Sequence, residues 1–159
     1  METVLYTSEE LKSRVYRWLE GVRRAKSASL ACNLPLSFVS CDGPGREIVF
    51  ALETSQAAEN PWGVTHGGYL AMAMDWAMGI ASRTILDQSN TPTISMQIDY
   101  LKPVPLDRTL FICVHVDHAG KTISHLTARG FLELEGPCCV HASGNYLMRG
   151  RPLRFFEMD

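Results

Sequence analysis

The chain has no basic run, no low-complexity segment, no internal repeat and no apolar stretch long enough to cross a membrane. A net charge of −2 without clustered Lys or Arg gives no reason to expect nucleic acid as a partner. The longest apolar run is interrupted by Asp75 and falls short of the ~20 residues that a membrane helix needs. The amino end, Met1-Glu2-Thr3-Val4-Leu5, lacks the basic-then-apolar layout of a secretion signal. Five cysteines are an odd count, and with no export signal they point to reduced thiols and a cytoplasmic protein. Also missing are a Gly-x-Ser-x-Gly elbow, a phosphate-loop signature and a dinucleotide fingerprint. Their absence argues against the common serine-hydrolase, nucleotide-hydrolysing and Rossmann readings.

What is present fits a single domain over residues 1–159, with 46% hydrophobic and 20% charged residues. Thr7-Ser-Glu-Glu10 has the form of a capping box, and Leu11, Val15, Trp18, Leu19 and Val22 follow at helical spacing. This predicts an amphipathic helix over about 8–26, with Arg14, Arg17, Arg23 and Arg24 on a solvated face. Two strand-like runs, Leu36–Cys41 and Glu47–Glu53, flank the turn signal Asp42-Gly-Pro-Gly45. A polar loop from Gln56 to Gly63 leads to a second helix, apolar on every side from Tyr69 to Ile85 and ending near Asp87. After Pro92 everything reads as strand: 93–100, 110–116, 121–134 and 138–148, taken as a four-strand antiparallel meander. One sheet encloses a helix that is apolar all round only if it curls about it, or if a second copy covers the rest. The class is α+β.

Two features of the central segment invite chemistry. Gly67-Gly68 opens it, where a helix N-terminus can turn bare N–H groups toward an acceptor. Asp75 sits among Met72, Met74, Trp76 and Met78, where a carboxylate needs a partner or a task. Bare N–H groups can hold a developing oxyanion, and Asp75 can serve as nucleophile or as general base toward water. The competing reading of Asp75 is a carboxylate bonded to a neighbouring hydroxyl or amide. Cys113-x-His115 and Cys139-x-His141 would offer a zinc site if their strand faces met, but their one-residue spacing departs from the usual ligand pairs. Buried cysteine is also common as a small hydrophobe. No metal is expected.

The run Asn60-Pro-x-Gly63-x-x-His66-Gly67-Gly68, then Asp75 and Ala77-x-Gly79-x-Ala81, resembles the signature of hotdog-fold acyl-CoA thioesterases, with the phenylacetate-degradation (PaaI-like) branch nearest. Tyr100-Leu-Lys-Pro103 and Gly120-Lys-Thr122 are similar to that family's strand end and hairpin turn. The resemblance covers about residues 36–148 and leaves the first helix outside. It implies a hotdog fold, a long central helix wrapped by a curved antiparallel sheet, and hydrolysis of an acyl-CoA to the free acid and CoA without a cofactor. By position it implies that Gly67 polarises the thioester carbonyl through its N–H, that Asn60 and His66 orient the thioester or the water, that Asp75 is nucleophile or base, and that Thr93 assists it. It further implies a homodimer, or a tetramer of two such dimers, with Asn60, His66 and Gly67 of one subunit facing the Asp75 of its partner. His66 and Asp75 stand nine positions apart, about half a turn off a common face, so one helix does not readily aim both at one carbonyl. The alternative is a non-catalytic acyl-CoA-binding module that regulates or sequesters. Trp62, Tyr69, Met72 and Trp76 are candidates to line the acyl pocket, and Lys102, Lys121 and Arg83 to contact the CoA phosphates as surface cations.

Overall fold

In the computed structural model, residues 6–24, 33–88 and 90–148 are described. Helix α1 (Ser8–Arg24) precedes strands β1 (Leu36–Asp42) and β2 (Glu47–Glu53), then come a 3-10 turn at Gln56–Ala58 and helix α2 (Gly67–Leu86). Strands β3 (Thr93–Tyr100), β4 (Thr109–Ala119), β5 (Ile123–Phe131) and β6 (Cys138–Leu147) complete the order.

The capping box forms as its spacing predicts. The Glu10 N–H donates to Thr7 Oγ1 at 3.3 Å, while the Thr7 N–H donates back to the Glu10 carboxylate at 2.9 Å. Leu11, Val15, Leu19 and Val22 are buried on one side of α1. The helix is described to Arg24, and its expected end near Lys26 lies outside the described residues. Arg14 departs from the expected solvated face. Its Nε donates to Thr84 O at 2.8 Å and its Nη2 pairs with Asp87, so it sits at the carbonyl end of α2, where a cation is favoured. Asp87 closes α2 in the left-handed region, at φ 54° and ψ 46°.

All six strands form one antiparallel sheet in the order β1-β2-β4-β5-β6-β3. The expected four-strand meander is therefore corrected: only β4, β5 and β6 follow one another, and β3 lies at the far edge beside β6. The cause is the segment 101–108, which Pro103 and Pro105 keep from continuing as strand. It returns across the end of the sheet, with the Leu101 and Lys102 N–H groups donating to Cys139 O at 2.8 and 3.0 Å and with Val104 buried. Strand β5 is shorter than the expected 121–134, because 132–136 form the turn before β6.

The sheet curls around α2. Phe50, Leu110, Ile112, Val114, Leu126, Ala128, Val140 and Ala142 meet Ala73, Met74, Ala77, Met78, Ile80 and Ala81 in one core. The helix is not buried all round, however. Gly68, Ala71, Met72, Asp75, Trp76, Gly79 and Arg83 keep partial or full exposure. At ~100° per residue these positions share one face. Edge strand β3 is open as well, with Ile94 53% exposed.

Candidate active site

The open face of α2 and the open strand β3 meet at Asp75. Thr93 is the first residue of β3 and lies opposite Tyr146 of β6 in the sheet register. The Thr93 Oγ1–H donates to Asp75 Oδ1 at 2.8 Å, and the Tyr146 O–H donates to the same oxygen at 3.0 Å. Asp75 is thus half-buried and held by hydroxyls, not sunk in apolar packing as its Met and Trp neighbours suggest. Its Oδ2 has no protein donor among the described residues.

Sequence reasoning missed Tyr146. It is fully buried, and it follows Val140, Ala142 and Gly144 in the inward register of β6, so it reads as core. The available signal was its phenol, because a buried O–H requires an acceptor. Burial first, and then the nearby Asp75 charge, push the Tyr146 phenol above its usual range. It stays protonated and keeps donating.

The other predicted residues gather at the N-terminus of α2. His66 is its N-cap, and its Nδ1 accepts from the Gly68 N–H at 2.9 Å. The Tyr100 O–H donates to Gly67 O at 2.8 Å. Close approach explains the glycine pair: a Cβ on Gly67 would lie 3.1 Å from Tyr100 Cζ, and one on Gly68 would lie 3.1 Å from His66 Nδ1. Gly68 spends its N–H on the cap, while the Gly67 N–H meets no acceptor among the described residues. Asn60 Oδ1 accepts from the Trp62 and Val64 N–H groups at 2.9 and 3.3 Å, which fixes the loop ahead of the helix. Its side-chain amide nitrogen is left to donate elsewhere.

The expected residues thus fall into two groups. Asn60, His66 and Gly67 lie together at the mouth of α2, whereas Asp75 and Thr93 lie together more than two turns along it. Nine residues of helix separate His66 from Asp75, about 13 Å along the axis. The His66 ring is held on the helix end by its bond to Gly68.

Of the other candidates, Trp62 is 84% exposed, and Tyr69, Met72 and Trp76 lie half-buried along α2. Trp76 packs edge-on against Trp18 of α1, 5.1 Å between ring centroids. Lys102 and Lys121 are exposed. Arg83 is not the surface cation expected: its guanidinium is tucked against Trp18 and residues 90–91.

Cys113, His115 and His141 line one open pocket with Glu47, Asp117, Thr127 and Arg129, but Cys139 lies apart from them. Cys113 and His141 face Arg129 of the intervening β5 from either side, and Cys139 is buried below the segment 101–108. His115 pairs with Asp117 at 3.1 Å and His141 lies 3.7 Å from Asp99. Burial first, and then the Glu47 carboxylate, raise the Cys113 thiol to about 12, which keeps it protonated. Among the described residues no group of three or more His, Cys, Asp or Glu side chains is placed to hold a metal.

Residues 63–139 match the family model of the thioesterase superfamily. With a curved six-strand antiparallel sheet wrapped on one long helix, the chain has the hotdog fold, and the matched stretch takes in α2 and strands β3 to β5. Among solved structures it is similar to the Escherichia coli PaaI protein of the phenylacetic acid degradation operon, at 19% identity and a TM-score of 0.75, over 91% of this chain and 97% of that one. A hypothetical thioesterase from Streptococcus pneumoniae solved with coenzyme A matches at 24% identity and TM-score 0.64, over 74% of this chain and 91% of that one. A Streptococcus mutans protein bound to acetyl CoA matches at 21% identity and TM-score 0.68, over 80% and 99%. No curated protein sequence matches the chain. Among the described residues no helix is long and apolar enough to cross a membrane.

Proposed function

We propose that this chain is an acyl-CoA thioesterase, hydrolysing a thioester to the free acid and CoA. The observation that carries this reading is Asp75, a carboxylate on the open face of α2 with one oxygen fixed by two hydroxyls and the other free. Oδ2 takes the proton of an attacking water, or itself attacks the thioester carbonyl to give an acyl–Asp75 anhydride that a water then hydrolyses. The carbonyl oxygen gains the negative charge, and a bare N–H at a helix N-terminus is the group to hold it. Gly67 supplies that N–H, and His66 and Asn60 orient the carbonyl or the water. Collapse of the tetrahedral species expels the CoA thiolate, which takes up a proton. No step calls for a metal or an organic cofactor.

A homodimer completes the site in this reading. Support comes from the separation of the two groups along one helix, the unpaired edge of β3 and the open face of α2. In an isologous dimer, Gly67 of one subunit faces the Asp75 of the other. Pairing of two such dimers gives the tetramer. The fold neighbours crystallised with coenzyme A and with acetyl CoA support the ligand class. The described cysteines, Cys41, Cys113, Cys138 and Cys139, are all unpaired, in keeping with a cytoplasmic enzyme.

The second reading is a module that binds acyl-CoA without cleaving it. Free-thiol release from a panel of acyl-CoAs separates the two. Wild-type protein should turn over at least one ester, and Asp75→Asn should lower the rate by about two orders of magnitude or more while CoA still binds. Equal rates in the two proteins would remove Asp75 from the chemistry, and binding without turnover would establish the module.

A further inference from the structure

The reaction above leaves one cation on α2 without a role. Arg83 lies eight residues beyond Asp75 on the same partly open face, with Gly79 midway. The Arg83 Nε donates to Thr91 Oγ1 at 3.4 Å and its Nη2 donates to Asn90 Oδ1 at 3.1 Å. Both acceptors are neutral. The Trp18 ring covers the group, its centroid 5.6 Å from Cζ. The remaining nitrogen, Nη1, is shielded from solvent and has no hydrogen-bond partner among the described residues. Desolvation lowers the Arg83 pKa, the sign expected for a cation removed from water without a counter-charge. By contrast, Arg14 one helix away is satisfied by Asp87 and a helix carbonyl.

A partly buried guanidinium with no counter-charge among the described residues invites an anion. Between Arg83 and Asp75 the helix face is open. A Cβ added to Gly79 would meet no atom within 4 Å, although Gly79 is only partly exposed. Met72 and Trp76 border this strip on the same helix face, and Trp18 backs Trp76. The strip is apolar along its length and ends at a cation.

We propose that this strip holds the acyl chain and that Arg83 receives a carboxylate at its far end, so that the preferred substrates are acyl-CoAs whose acyl group carries a second, terminal carboxylate. This rests on Asp75 being the reacting carboxylate. Eight residues of helix span ~12 Å, which corresponds to an acyl chain of roughly six to eight carbons. The CoA phosphates are the other source of anionic oxygen. They are strongly hydrated and suit the exposed Lys102 or Lys121 better than a partly buried guanidinium beside Trp18.

The test compares acyl-CoAs of equal length ending in a methyl group or in a carboxylate, each also prepared as the pantetheine thioester, which lacks the nucleotide. Wild-type kcat/KM should favour the carboxylate end by about 100-fold, and by a similar factor in the pantetheine series. Arg83→Gln should abolish that preference by lowering turnover of the carboxylate-ended ester, leaving the methyl-ended one within about threefold. Arg83→Lys should keep part of it. Dissociation constants measured on Asp75→Asn, which binds without turning over, should show the same preference. Wild-type protein that hydrolyses both esters equally overturns the proposal without need of a variant. So does an Arg83→Gln effect confined to full CoA esters whatever the acyl end, which assigns Arg83 to the phosphates. So too does an unchanged preference in Arg83→Gln with a weakened dimer, which assigns it to the partner subunit. If no ester of either series is cleaved and Asp75→Asn matches wild type, the thioesterase reading itself has failed.

Discussion

Thr93 and Tyr146 face each other across β3 and β6, and both donate to one oxygen of Asp75. The two donors therefore rise and fall with a single strand pairing. They also leave the second carboxylate oxygen without a donor among the described residues. A hydrogen bond to a charged group contributes about 1.5–3 kcal/mol, enough to fix the carboxylate's rotation about its own axis.

Removing either donor should cost activity without emptying the site. Tyr146→Phe and Thr93→Val should each lower kcat by about tenfold, and the double variant by more than either alone. Stopped-flow thiol release on protein whose Tm has been checked gives the comparison. Wild-type kcat in Tyr146→Phe would reduce the phenol to a packing group.

The glycine pair should not tolerate a methyl group. Gly67→Ala presses on the Tyr100 ring and Gly68→Ala on the capping His66. Both should lower kcat/KM by about tenfold or more, since the shifted atoms adjoin the bare N–H. Adding Tyr100→Ala to Gly67→Ala should return part of the lost activity by making room. An unrescued double variant with native Tm would mean that the Tyr100 contact is not the cause.

Sharing of the site between subunits can be read by complementation. Asp75→Ala and an Asn60→Ala/His66→Ala double variant, unfolded and refolded together, give mixed dimers in which one site has all its groups and the other none. Half the dimers are mixed, so about a quarter of wild-type activity should return if the sites work independently. Mixed dimers as inactive as the parents would rule the shared site out.

Protein purified without added zinc should hold far less than one metal per chain. The raised Cys113 pKa has a further consequence. The alkylating species is the thiolate, so Cys113 should react slowly at pH 8 and speed up steadily as the pH climbs toward 12. Glu47→Gln removes the carboxylate contribution and should speed labelling at pH 8. Fast labelling of Cys113 in the wild type at pH 8 would contradict its burial beside Glu47.

The elements were legible because their local signals agree. The capping box, the alternating strands and the turn before β2 all lie where spacing puts them. Strand order was not legible. Alternation in 93–100 reports a strand but not its neighbour, and β3's place beside β6 is decided by a proline-bearing segment that packs on Cys139. The open face of α2 was hidden for a different reason. Gly68, Ala71 and Gly79 count as compatible with burial, yet their smallness is what leaves that face unfilled. Asn60, His66, Gly67 and Asp75 stood out through a motif, and Thr93 through its match to that motif. Tyr146 belonged to no motif, and Arg83 was taken for a surface cation because nothing in the sequence foretells that Trp18 covers it.

The position of β3 also dictates when this protein can first work. Among the named strands β3 pairs only with β6, whose partner residues lie 40 to 53 positions later in the chain. Residues 93–100 therefore leave the ribosome with no neighbour to bond to, and they wait until β4, β5 and β6 have been made. Asp75 and Tyr146 are 71 residues apart, so the carboxylate gains its second donor only when the last strand docks. Contacts this distant in sequence form late and slowly. The pair of donors to Asp75 is thus complete only once the end of β6 has docked, and a chain cut before Tyr146 would lack one of them.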